Sequence, residues 1–537
     1  MEKFLVISEV SKKQGYIFKT NKLKENIGAS TIIEYITEGL PKKMLAEVLG
    51  KTDIEENIVN AGGGNSLFIL DNEDDAKEFI SRTTRTVLKD FPGVEFFMTY
   101  QKFDYDKDSI IDAIDEIYKK LNDKKSARAS VFRKKSYGIE QNCVTTGLPA
   151  YKRYDDVFLS RESYVKREWY KDEKQDKIKN TISEVIEEFD KGRGYRFTKE
   201  IEELITEKGN NSYVAIVSLD GNKMGQKIQH MKDEARKKED KNNMAESNNI
   251  YRAKLKEFSD NIKKYYKNAF IDMLNVIDKN YDKVSESLKL KDNIMPVRPI
   301  ILAGDDVCFI CNAKIALECV NLFIKSLNKH SVEGEQLNAC AGICMLRSSY
   351  PFDKGYEIAE NLCKNGKAKI VDSNDASLVD FHICQGEIST SLSEIRNRAH
   401  INKEIELNIK PFYINITEVE NNSQQSSDET RKRVITEKDT FNTYENFKAE
   451  FKRIEQKTKD CKGKIRKLRD VFPQGEEKTR LFMNKNMIAD EFNHGFKLPK
   501  GKVNYGFYEV DGKKTCLYFD IIELQDMFIN LDSDIEG

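Results

Sequence analysis

Apolar residues along the chain gather into short strand-like runs separated by stretches of helical periodicity, and the same order of elements occurs twice. The first series predicts a strand over Phe4–Ile7, a helix over Gly28–Leu49 and a strand over Asn57–Asn60. A glycine turn, AGGGN at Ala61–Asn65, leads into an apolar strand over Ser66–Leu70. A helix over Asp74–Leu88 and a strand over Val94–Tyr100 complete a β-α-β-β-α-β unit, the ferredoxin-like arrangement.

The second series opens at SYVAIVSLDGNKMG with a strand over Ser212–Leu219. The helical stretch after it is swollen by a charged insertion, Met231–Asn249. Two strands over Pro299–Ala303 and Val307–Cys311 are joined by GDD, and a helix over Ala313–Leu327 and a strand over Ala339–Met345 follow. Both series place a glycine-led hairpin at the same point, so the expected fold is α+β with an internal duplication. The expected division is 1–103 for the first unit, 104–208 for a charged, largely helical connector and 209–415 for the second unit. A polar stretch at Asn421–Lys432 reads as a mobile linker, and 433–537 as a mostly helical C-terminal domain.

With 537 residues the chain is long enough for more than one core. Its 89 Lys and Arg nearly cancel 90 Asp and Glu, which excludes a global basic field. RNA contacts, if any, fall to local basic runs at Lys119–Lys135 and Lys457–Arg469, and a charge run is ordinarily a solvated face. No apolar run reaches the roughly 18 residues of a membrane span, and FLVISEV is too short for a signal sequence, so a cytoplasmic location without membrane contact is expected. The ten cysteines lie mainly in apolar contexts that suit reduced, buried thiols. The one CxxC, Cys308 and Cys311, falls inside a predicted strand with no second pair to complete a zinc site.

The chemistry concentrates at the second hairpin. In a ferredoxin-like sheet the first and third strands are neighbours, so Asp220 at the end of the first comes beside Asp305 and Asp306. Three carboxylates on one sheet edge repel one another unless a cation holds them, a pattern that suits Mg2+ or Mn2+ and nucleotidyl transfer. Gly221, Asn222 and Gly225 of DGNKMG, with Gly304 of the hairpin, are candidate nucleotide contacts where a triphosphate approaches backbone and a helix N-terminus. The competing reading is a solvated turn. In the first unit Gly62, Gly63, Gly64 and Asn65 occupy the matching hairpin, with Asn65 where an aspartate is needed and the first strand ending near Glu9. A complete metal site is not expected there; its glycines either admit a second nucleotide or form a tight turn.

Together SKKQGYIFKTNKLKENIGAS, AGGGNSLFIL, IVSLDGNKMG, RPIILAGDDVCFIC, SSYPFDKGYEIAENLCKNGKAK and SLVDFHICQGEIS resemble the polymerase/cyclase large subunit of type III CRISPR effector complexes. That family has paired palm domains related to diguanylate cyclases, and the resemblance covers most of the chain. It implies synthesis of cyclic oligoadenylates from ATP after foreign RNA is recognised, with RNA and sibling subunits as partners. It also implies metal binding by Asp220, Asp305 and Asp306, and places Lys367, eight residues after Ala359, where related cyclases carry a phosphate-binding lysine.

Several positions depart from that pattern. None of the five histidines is followed by aspartate and the chain begins directly with the palm, so no DNase activity of the family's nuclease type is expected. Cys143 alone remains of the usual cysteine module between the palms, Ala303 replaces a glycine, and Asn222 stands where some relatives carry a second aspartate. Three readings stay open on sequence: a cyclic oligoadenylate synthase, a synthase of cyclic dinucleotides or mixed-base products, and a non-catalytic RNA-binding scaffold.

Overall fold

The computed structural model describes residues 1–127, 138–170, 180–205, 212–291, 293–370, 375–384 and 441–493, with shorter stretches between 386 and 414 and between 495 and 531. The first palm runs β1 (Glu2–Ser11), α1 (Lys13–Ile17), α2 (Leu23–Glu34), α3 (Leu40–Leu49), β2 (Ile58–Gly62), β3 (Asn65–Leu70), α4 (Glu73–Asp90) and β4 (Glu95–Asp104). Its antiparallel sheet has the order β2-β3-β1-β4, as the ferredoxin-like pattern requires. The helix expected over Gly28–Leu49 is α2 and α3 joined by a wide π-type turn, Tyr35–Gly39. Pro41 cannot donate the next helical hydrogen bond, and Gly39 leaves room for the Tyr35 ring packed on it.

The second palm runs β5 (Tyr213–Gly221), α5 (Met224–Lys237), α6 (Met244–Lys279), β6 (Val297–Ala303), β7 (Asp306–Asn312), α7 (Ala316–Leu327), β8 (Ala339–Arg347), α8 (Phe352–Ala368), β9 (Ser377–Ile383) and β10 (Phe412–Ile414). The sheet order is β6-β7-β5-β8-β9-β10: the four-strand palm pattern, extended by β9 running parallel to β8 and by β10 antiparallel to β9. The charged insertion seen in the sequence leads into α6, a 36-residue helix.

Alternation along the central strands shows why they are apolar on both faces. Ala215, Val217 and Leu219 of β5 enter one core, lined by Tyr266 and Phe270 of α6 and Phe323 of α7. Val214 and Ile216 enter a second, with Tyr356, Ala359 and Leu362 of α8. The first palm feeds the same two cores, Leu5 and Ile7 the former and Phe4 and Val6 the latter. Phe18, just after α1, stacks on Tyr356 of α8 with ring centroids 4.0 Å apart, so the palms are packed against each other. Cys308 and Cys311 of β7 fall into opposite cores, so they do not share a metal.

The connector begins with a helix, Ile110–Ser126, packed on β4 of the first palm, and continues through a hairpin (Lys152–Tyr154 with Val157–Leu159) and the helices Arg161–Tyr170 and Thr181–Asp190. The C-terminal part holds the helices Tyr444–Lys457, Lys462–Val471 and Glu476–Asn486. Near its end a strand, Lys513–Cys516, is the centre of a three-stranded sheet with Phe507–Val510 and Ile405–Glu406. The linker Asn421–Lys432 and the basic run beyond residue 127 lie outside the described residues. In the second basic run, Arg466 pairs with Asp526 and Arg469 with Glu523. No helix among the described residues is long and apolar enough to cross a membrane.

Candidate active site between the palms

The two glycine hairpins are the same structure carrying different chemistry. In the second palm Asp306 pairs with Ala303 across the hairpin and with Asp220 across β5. In the first, Asn65 pairs with Gly62 and with Glu9 at the same positions. The turn glycines match in conformation, with φ +68° at Gly304 and +65° at Gly63, a region that a side chain disfavours. Gly64 therefore corresponds to Asp305 and Asn65 to Asp306: the first palm lacks both hairpin acids. Its remaining acid, Glu9, pairs with Lys125 of the connector.

Both hairpins open on one cavity of about 250 Å³. Gly62 to Asn65 line it from one side and Ala303 to Asp306 from the other. Its wall is apolar where Ile33, Met224, Ile228, Leu255, Phe258 and Ile262 contribute, so α6 is the palm's cover over this space. One region is polar: Glu34 accepts from the backbone N–H and hydroxyl of Thr181, both at 2.8 Å, and Glu38 pairs with Lys263 at 3.1 Å. Burial raises the Glu34 pKa.

Electrostatics single out the acids of the second hairpin. Burial, with repulsion from Asp220, pushes Asp305 up to about 6. Burial also pushes Asp306 up to about 6, against a lowering by Lys13 and with further raising by Asp220 and Asp305. Lys13 belongs to α1 of the first palm; its ammonium donates to the Gly63 carbonyl at 2.8 Å. Gln14 Nε2, next along α1, donates to Asp306 Oδ2 at 3.2 Å. These two residues bring the first palm directly to the second palm's acids, and neither was singled out from the sequence. The signal available was only their place in SKKQG, just after the first strand.

The backbone register brings Asp220 to the hairpin as expected, but the three carboxylates do not converge as side chains. Asp220 Oδ2 is held by Lys367 Nζ at 2.7 Å, and among the described residues no three His, Cys, Asp or Glu side chains could hold a metal ion together. The reason is electrostatic: like charges separate, and the nearest ammonium takes one of them. The donor set still fits a hard divalent cation, because its oxygens are carboxylates and two of them carry charge that their surroundings disfavour. Lys367 also donates to the Gly221 carbonyl at 2.7 Å, so it is at the site.

Three expected nucleotide contacts are placed otherwise. Asn222 is buried, its amide donating to the Ala376 carbonyl at 2.7 Å and to Asp375 at 3.2 Å, which ties the strand end to the loop before β9. Gly225 is exposed on the first turn of α5 and does not line the cavity. Gly221 is buried where a Cβ would stand 2.6 Å from the Tyr266 hydroxyl and 2.9 Å from Asp305 Cβ, so close packing explains its lack of a side chain. Gly62, Gly63, Gly64, Asn65 and Gly304 do line the cavity.

Two ferredoxin-like sheets with matched glycine hairpins, one of them acidic, define a paired-palm protein. Residues 213–376 match the family model of the Cas10/Cmr2 second palm domain, and over this segment the chain is similar to that family. Among solved structures it is similar to the apo Csm1–Csm4 cassette, at 12% identity and a TM-score of 0.43 over 71% of this chain and 54% of that one. The same cassette in complex with cA4 gives 12% identity and a TM-score of 0.42 over 74% and 58%, and in complex with one ATP 12% and 0.44 over 70% and 54%. The chain thus spans little more than half the length of these structures. Comparison with curated proteins gives no match.

Proposed function

We propose that the chain is a metal-dependent nucleotidyltransferase that makes cyclic oligoadenylates from ATP in a cytoplasmic, type III CRISPR-like defence system, with RNA and further effector subunits as partners. The observation that carries this reading is the shared cavity: the acids of one palm face the glycine loop, Lys13 and Gln14 of the other. The second-palm family match agrees with it.

In this reading Asp220, Asp305 and Asp306 would hold Mg2+ or Mn2+. Such an ion supplies a lowered pKa at an attacking ribose hydroxyl and charge compensation at departing pyrophosphate. The apolar wall formed by α5 and α6 takes the face of a nucleobase, while Gly63 and Gly64 let phosphate oxygens approach backbone. Lys13 and Lys367, whose charges both reach Asp305, offer ammonium groups for phosphate charge. Orientation of two nucleotides against each other is then the work of two palms rather than one.

Incubating the full chain with each nucleoside triphosphate and Mg2+ or Mn2+, followed by mass spectrometry, tests the reading. The expected product is a cyclic oligoadenylate from ATP alone, absent with Asp305→Asn or Asp306→Asn. A product of another base would keep the site and change the substrate. Unaltered product from both variants would refute the site.

A further inference from the structure

Helix α6 does two things along one face. Leu255, Phe258 and Ile262 line the cavity, and Tyr266, one turn beyond Ile262, turns its ring into the core beside Phe323, with centroids 6.0 Å apart. Tyr266 is 1% exposed, and its hydroxyl is buried with no hydrogen-bond partner among the described residues. A buried, unpaired hydroxyl costs stability, and phenylalanine would fill the same ring space without that cost.

The position of this hydroxyl is specific. A Cβ on Gly221 would meet it at 2.6 Å and would meet Asp305 Cβ at 2.9 Å, so the phenol and Asp305 are packed against the same glycine. The charged groups acting on the phenol most strongly are Asp305 and then Asp220, and with burial they keep it a neutral O–H donor. The Gly221 carbonyl already accepts from Lys367. The carboxylates whose charge reaches the phenol are Asp305, Asp220 and Asp375, and of these Asp305 packs against the same glycine as the phenol.

We propose that Tyr266 is a positioning residue: its hydroxyl donates to the Asp305 carboxylate when a divalent cation gathers Asp220, Asp305 and Asp306. The inference rests on the reading above, in which these carboxylates hold the ion. This contact supplies the hydroxyl with a partner, and the missing side chain at Gly221 leaves room for the phenol beside Asp305. Hydrogen bonds to metal-binding carboxylates orient them and strengthen binding, and their loss typically costs about 10–100-fold in affinity.

The test is Mn2+ binding to the full chain, followed by the electron paramagnetic resonance of free Mn2+ and by thermal melting, in wild type, Tyr266→Phe and Asp305→Asn. Tyr266→Phe should weaken Mn2+ binding about tenfold and reduce the rise in Tm that Mn2+ produces, while its metal-free Tm equals or exceeds that of wild type. Wild-type Mn2+ affinity in Tyr266→Phe, with binding lost in Asp305→Asn, would overturn the role of Tyr266 and leave the carboxylate site standing. Equal binding by all three proteins would overturn both. Should Tyr266→Phe fold poorly, 3-fluorotyrosine placed at position 266 reports instead. Its fluorine resonance should move on adding Mg2+ and stay fixed in an Asp305→Asn background, and a resonance unmoved by Mg2+ would overturn the inference.

Discussion

Asp306 stands directly across from Asp220 in the β7–β5 ladder, and Asn65 stands across from Glu9 at the same place in β3–β1. The duplicated fold thus offers two equivalent sheet edges, and only one concentrates negative charge. The other contributes glycines and, through α1, a glutamine that donates to Asp306 and a lysine that is bonded to the Gly63 carbonyl and whose charge lowers the Asp306 pKa. This division of labour explains why neither palm alone contains the whole candidate site.

The charge concentrated at Asp305 and Asp306 predicts a pH signature of the metal-free protein. Their folded-state pKa, about 6, exceeds the ordinary carboxylate value, so between about pH 4 and 6 the folded chain binds more protons than the unfolded chain. The contribution of these groups to stability is therefore complete at low pH and is lost as pH rises through 6. Asp306→Asn should raise Tm at pH 7 by about 1–3 °C without added metal. The difference from wild type should shrink toward pH 4, and added Mg2+ should shrink it at pH 7. Differential scanning calorimetry of both proteins across pH checks this; a lower Tm for Asp306→Asn at pH 7 would contradict it.

Lys13 lowers the pKa of Asp306 from across the palm interface. Lys13→Met should move the pH at which Mn2+ binding is lost upward, since Asp306 then protonates more readily. It should also weaken ATP binding about 5–10-fold if the ammonium meets phosphate. Mn2+ titrations against pH and equilibrium ATP binding separate the two effects. An unchanged pH midpoint would remove Lys13 from the electrostatics of the site.

Lys367 restrains Asp220 and caps the Gly221 carbonyl. Because Asp220 is half exposed, the pair contributes little to stability, and Lys367→Met should cost less than about 1 kcal/mol. Its effect on nucleotide binding should be larger, about tenfold in the Kd for ATP, with Mn2+ affinity in the absence of ATP equal or tighter because Asp220 is released. Calorimetric titration with each ligand checks the split. Equal weakening of both would mean that Lys367 serves only to hold the turn.

How much of this was legible in the sequence depends on range. The strands and the hairpin at Gly304–Asp306 were readable because apolar runs and glycine turns are local signals, and the topology then placed Asp220 by strand order. The contact of Gln14 with Asp306 joins residues 292 positions apart, and nothing in local pattern announces it. The sequence makes Gly221 a candidate phosphate contact, whereas its open side is crowded by Tyr266, Met224 and Asp305, and Tyr266 comes from the part of α6 beyond the charged insertion. The extra strands β9 and β10 escaped because β9 pairs parallel to β8 after a helix, and β10 is only three residues long.

Gly221 gives the sharpest structural prediction because its surroundings are crowded from three directions: the Tyr266 hydroxyl at 2.6 Å, Met224 Cε at 2.7 Å and Asp305 Cβ at 2.9 Å from an added Cβ. Met224 is a flexible end and gives way cheaply, whereas Tyr266 is locked in the core and Asp305 is fixed by the hairpin. Gly221→Ala should therefore destabilise the chain by about 1–3 kcal/mol, the usual cost of overpacking. Removing the hydroxyl relieves one of the two stiff contacts, so Gly221→Ala with Tyr266→Phe should recover part of the loss beyond the sum of the single effects. The β7–β5 register stays, hence the double variant should keep its fold while binding Mn2+ poorly. Thermal melts of the four proteins in the cycle measure the coupling directly. Strict additivity would show that Gly221 yields to alanine by moving away from Asp305 alone, and that the phenol does not set the geometry of the turn.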